Sequence, residues 1–122
     1  MSIEYDTSRE GLSAVLKDWQ TEALRAVWKS KDGLNSRRVW EQTNVALKPV
    51  TISRASIINF LEAMREMGVL NGEEKTGKGG HHWVYKPAMD EAGFKHFIAF
   101  KLLERLMTNF PEETRKALKN LT

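Results

Sequence analysis

Apolar residues fall at helical spacing in several stretches of the chain, most clearly from Ser53 to Gly68, SRASIINFLEAMREMG. Ile57, Phe60, Leu61 and Met64 occupy positions i, i+3, i+4 and i+7, which places one stripe toward a core. Ser53 suits the N-cap, and Gly68 suits the left-handed position that ends a helix. The opposite side carries Arg54, Ala55, Asn59, Glu62 and Arg65. Its first turns are therefore small, polar and basic, with acid entering only at Glu62 and Glu66. Such a helix can bring its N-terminal half to phosphates and base edges.

The same spacing predicts further helices. Asp18 is expected to cap one running to about Ser30, with Ala23, Leu24, Val27 and Trp28 on its inner face. Asp32 and Gly33 then form a turn, and Leu34 is a candidate for one short strand. A second helix should start at Asn35 or Ser36, turn Val39, Trp40 and Thr43 inward and stop around Asn44. Arg37 and Arg38 fall in its first turn, where the helix dipole disfavours cations. Either a phosphate is held there, or the two arginines are simply solvated. Pro49 blocks a helix through VALKPVTI and disfavours helical geometry at Lys48, so this helix and the Ser53 helix are separated by a turn.

Beyond Gly68 the period changes. Val69 to Asn71 and His82 to Tyr85 read as two short strands around a glycine-rich stretch, a hairpin with a long mobile tip. Lys75, Lys78 and His81 would offer donors to phosphate there. A long helix follows from Pro87 or Asp90 to about Thr108. From Ile98 onward, Ile98, Ala99, Phe100, Leu102, Leu103, Leu106 and Met107 cover about half its circumference. Ala117, Leu118 and Leu121 share one side of a short last helix. Two helices with this much apolar surface predict an intermolecular bundle; the alternative is that they fold back on their own domain. The expected division is an N-terminal arm over 1–16, a helix-turn-helix domain with its hairpin over 17–88, and a helical region over 89–122.

Length and charge narrow the partners. A chain of 122 residues can bury a core without metals or disulfides, and the absence of cysteine excludes a thiolate zinc site and a cysteine nucleophile. The net charge of +3 and the pI of about 9.3 suit a polyanion. The excess is spread over the whole chain, so it does not locate a site. No stretch reaches membrane-spanning length and the N-terminus lacks a signal-peptide pattern, so the cytoplasm is the expected location and no membrane partner is expected.

Candidate chemistry other than binding finds little support. His81 and His82 are neighbours in a strand and point to opposite faces, which prevents them from sharing a metal, and His96 has no evident partner. Gly77-Lys78-Gly79-Gly80 lacks the spacing of a phosphate-binding loop or a dinucleotide fingerprint. No serine sits in a nucleophile-elbow sequence and no carboxylates pair in a cleft, so no catalytic activity, metal or cofactor is expected. Of the tryptophans, Trp28 and Trp40 are assigned to the core and Trp83 to anchoring the hairpin. No spacing identifies a small-molecule effector.

The order of elements resembles the winged-helix transcriptional regulators, in particular the penicillinase-repressor family, from about Leu16 to Leu121. The most specific part is Ser53 to Leu70: the serine cap, Ser56-Ile57, Leu61, Met64, and Gly68 followed by Val69-Leu70. The resemblance implies a winged domain that binds operator DNA and C-terminal helices that form a homodimer. Copper-responsive members carry C-terminal cysteines, which are lacking here. Resistance repressors of the group are inactivated by cleavage at an Asn-Phe bond, and Asn109-Phe110 stands at a similar place, although Pro111 follows it.

The expected fold is therefore mainly α within the α+β class: a winged helix-turn-helix with a small hairpin wing and two dimerisation helices. The expected function is sequence-specific binding of double-stranded DNA by a homodimeric repressor that occludes a palindromic operator. Arg54, Ser56 and Asn59 would meet base edges or nearby phosphates. Ser36, Arg37, Arg38, Thr51, Ser53, Lys75, Lys78 and His81 would hold backbone, and Lys78→Ala would flatten the salt slope by about 0.9. Phe94, Ile98, Leu102, Leu103, Leu106, Leu118 and Leu121 would form the dimer contact. The rival expectation is a winged-helix adaptor that binds another protein and has little affinity for DNA.

Overall fold

Helix α1, Asp18–Lys29, begins one residue earlier than a capping Asp18 would require, with Lys17 at the N-cap. The Gln20 side chain reaches back to accept the Lys17 backbone N–H at 2.9 Å, so glutamine closes the first turn and Asp18 adds its charge at the favourable end. Thr21, Ala23, Leu24, Ala26 and Val27 are buried, while Trp28 is half-buried instead of belonging fully to the core. The computed structural model describes residues 2–77 and 80–122, so the expected contact at Lys78 lies outside the described residues.

The segment before α1, expected as a loose or partly packed arm, is packed in part, with residues 4–10 exposed. A 3-10 turn over Gly11–Ala14 puts Leu12, Ala14 and Leu16 into the core, and the Asp6 N–H donates to the Ala14 carbonyl at 2.8 Å. The spacing of two between these residues gives neither helical nor strand length, which hides the packing from periodicity.

Strand β1, Leu34–Asn35, leads into α2, Ser36–Leu47. Asn35 caps α2, its side chain accepting the Arg38 N–H at 2.9 Å. The helix runs three residues beyond Asn44, because nothing in Val45-Ala46-Leu47 breaks it before the restriction imposed by Pro49. Val39 and Thr43 are buried. Trp40 is half-buried, and its indole N–H donates to the Ile52 carbonyl at 2.9 Å. The Asn44 side chain accepts the Ile52 N–H at 2.8 Å. Two side chains of α2 thus fix the residue that leads into the next helix.

Helix α3, Arg54–Glu66, has the expected core stripe: Ile57, Phe60, Leu61 and Met64 are all buried. Trp19 of α1 meets Phe60 edge-on, with centroids 5.4 Å apart. The Ser53 hydroxyl accepts the Ser56 N–H at 3.1 Å, and Gly68 ends the helix at φ +81°.

Strands β2, Leu70–Gly77, and β3, Gly80–Pro87, pair antiparallel in unbroken register from Leu70↔Pro87 to Gly77↔Gly80. The predicted short strands with a long mobile tip are thereby corrected: the ladder includes Lys75 and His81. Strand β1 pairs with β3 through Leu34↔Tyr85 and Asn35↔Val84, giving a three-stranded sheet in the order β1-β3-β2. The elements are mainly helical with one small antiparallel sheet, an α+β composition.

The chain forms two compact units, the first ending at Glu91 and the second starting at Ala92. The second contains nearly all of α4, Glu91–Asn109, and α5, Pro111–Leu121. The Phe110 N–H donates to the Leu106 carbonyl at 2.7 Å, and the buried Thr114 hydroxyl donates to the same carbonyl at 3.1 Å. Among the described residues, no helix is long and apolar enough to cross a membrane.

Candidate nucleic-acid interface

The N-terminal half of α3 presents Arg54, Ala55, Ile58 and Asn59 to solvent, with Ser56 half-buried beside them. This follows from the core stripe: with Ile57, Phe60 and Leu61 turned inward, the remaining positions of the first turns must face out. The Ser53 and Ser56 hydroxyls lie 2.9 Å apart and share one hydrogen bond. Ser56 is therefore tied to the cap, which leaves Arg54 and Asn59 as the long polar side chains that α3 offers.

The other expected contacts divide. Ser36 is half-buried at the start of α2, and Thr51 and Ser53 are exposed just before α3. Arg37 pairs with Glu41 one turn on, Nε to Oε1 at 3.1 Å, which offsets the unfavourable dipole at its position. Among the described residues, Arg38, Arg54 and Lys75 form no ion pair, so their charges are the least compensated of the set.

The hairpin does not gather Lys75 and His81. Side chains alternate across a strand, so Lys75 shares a face with His82, its direct opposite, and His81 lies on the other face. There the His81 Nδ1 approaches Glu74 Oε1 at 2.9 Å. His82 is the residue that sequence reading left out; once the register is known, its position opposite Lys75 is fixed. No group of three metal-binding side chains occurs among the described residues.

No protein-family model matches this chain, and no curated protein sequence is significantly similar to it. Its chemistry therefore rests on geometry. The C-terminal half of α3 differs from the first half, because Glu62 and Arg65 are engaged with the hairpin. Glu62 accepts the Tyr85 hydroxyl at 2.9 Å and the Arg65 Nε at 2.8 Å, and the Arg65 guanidinium lies 5.0 Å from the centre of the Trp83 ring. Burial, and after it the bond to Glu62, pushes the Tyr85 phenol far above its ordinary value. The bond and charge of Glu62 raise Arg65 in turn. Trp83 holds the hairpin to the helices, as its sequence position suggested. Arg65 is occupied here, although the sequence placed it on the same open face as Arg54.

The expected dimer residues also divide. Phe94 and Ile98 are buried in the single chain. Periodicity marks both as apolar and cannot say which surface covers them. Leu102 is half-buried, whereas Leu103, Leu106, Leu118 and Leu121 are exposed, as are Phe100 and Phe110.

Proposed function

We propose that the chain is a winged-helix regulator that binds double-stranded DNA as a homodimer, a repressor related in design to the penicillinase-repressor family. The observation that carries this reading is the asymmetry of α3. In its first half Arg54 and Asn59 are exposed, with Arg54 outside any described ion pair, while Glu62 and Arg65 in its second half are engaged with the hairpin. A helix entering a major groove by its N-terminal residues needs this division. Arg54 and Asn59 would read base edges. Arg38, Thr51, Ser53 and the Lys75 face of the hairpin would hold phosphates.

Fluorescence anisotropy against DNA upstream of the protein's own gene, at two salt concentrations, tests the reading. Binding should strengthen as salt falls, and Arg54→Ala should cost about 1 to 3 kcal/mol at the preferred sequence and relax base preference. No affinity at either salt concentration would overturn it. That outcome would favour the adaptor reading, which draws on three exposed apolar side chains, Val45, Val50 and Ile58, on α2, the turn after it and α3.

A further inference from the structure

One side-chain cluster has no role in the DNA contacts described above, and it joins the second half of α3 to the inner face of the hairpin. The Glu62 carboxylate stands between two donors, the Tyr85 hydroxyl on one oxygen and the Arg65 guanidinium on the other. The carbon of that guanidinium lies over the Trp83 ring, 5.0 Å from its centroid. Trp83 and Tyr85 lie two residues apart on the same side of β3, and Gly72 of β2 is directly opposite Tyr85. A Cβ on Gly72 would collide with Arg65 Cδ and stand 3.1 Å from Trp83 Cε3. The missing side chain at Gly72 is thus the opening through which Arg65 reaches the ring.

We propose that Arg65 is a positioning residue that locks the hairpin to α3, so that the two meet one DNA duplex as a single body; the proposal rests on the DNA-binding reading above. A two-stranded hairpin is marginally stable alone, and β1 supports this one only at its base, opposite Val84 and Tyr85. Arg65 lies over Trp83, one residue nearer the tip than that support. Without it, the outer ladder would pivot about its base and Lys75 would no longer keep a fixed distance from Arg54. Arginine suits the task because a planar guanidinium bonds a carboxylate along its edge while stacking on a ring with its face, which an ammonium cannot do. With Glu62 balancing its charge, Arg65 acts on DNA through the hairpin and not by direct contact.

The test measures binding of the full chain to a labelled mixed-sequence duplex between about 50 and 200 mM salt, for the parent, Arg65→Met and Arg65→Lys. Arg65→Met should flatten the salt slope by about 0.9 for each phosphate that the hairpin no longer holds, with Arg65→Lys intermediate. Lys75→Ala should flatten the slope by about 0.9 in the parent and have no further effect alongside Arg65→Met. Circular dichroism melting checks that the variants fold, and if Arg65→Met does not, Arg65→Lys and Trp83→Leu take its place. A full slope in the Arg65 variants, or a Lys75→Ala effect that simply adds, overturns the positioning role alone. A parent with no salt-dependent binding overturns the DNA reading and this proposal together.

Discussion

Two glycines with similar backbone angles show how differently a single residue can be constrained. Gly68 ends α3 at φ +81°, with nothing within 4 Å of where a Cβ would stand, so Gly68→Ala meets only the left-handed backbone and should cost about 1 to 2 kcal/mol. Gly33 has φ +85°, and a Cβ there would stand 2.8 Å from the Tyr85 carbonyl oxygen, part of a β-ladder that cannot move aside. Gly33→Ala should cost more than Gly68→Ala, which paired denaturant titrations would show. Tyr85 gives a second residue-scale expectation. Its folded phenol ionises above the ordinary 10.0, so as pH rises the unfolded chain releases that proton first. The contribution is complete below about pH 10 and is lost above it. The stability difference between the parent and Tyr85→Phe should therefore narrow as pH passes about 10, measured as denaturant midpoints; a constant difference would contradict the Glu62–Tyr85 geometry.

At the scale of elements, what the sequence revealed depended on how regular each signal was. Helix α3 was legible because its core stripe, serine cap and terminal glycine agree with one another. The hairpin's length was not, because beyond Leu70 both faces of β2 are mostly solvated and no alternation survives to mark a strand. The close approach of Arg65 had one sequence trace: Gly72 within a strand often marks such an approach. The join between α2 and α3 left less. Pro49 announced a turn, but the bonds from Asn44 and Trp40 to Ile52 depend on the turn bringing Ile52 back alongside α2, which no periodicity shows. Asn44→Ala leaves the half-buried Ile52 N–H without its acceptor and should cost about 1 to 3 kcal/mol, read from thermal or denaturant unfolding. Because this join fixes where α3 begins, the same variant should also lower DNA affinity.

For the whole molecule, the proposal makes binding and assembly inseparable. In a two-fold dimer the α3 helices of the two copies would enter successive major grooves about 34 Å apart, which calls for a palindromic site. The exposed apolar side chains of α4 and α5 include Phe100, Leu103, Leu106, Leu118 and Leu121. Replacing Leu103 and Leu106 together by Glu should convert a dimer to a monomer in sedimentation or light scattering, and weaken DNA binding because only one half-site is then engaged. Parent protein that is monomeric at all concentrations would remove the dimer from the proposal and leave the groove contacts of one copy.

The continuous register of β2 and β3 also limits how this protein can vary over evolution. Adding one residue to each strand between Trp83 and the tip would exchange the faces of everything beyond the insertion, turning Lys75 and His82 to the side now held by His81. Adding two to each would restore the pattern and carry the same faces farther from the body of the protein. Hairpins of related chains should therefore lengthen or shorten in even steps per strand, with the Trp83 position unmoved and reach, rather than facing, as the property free to drift.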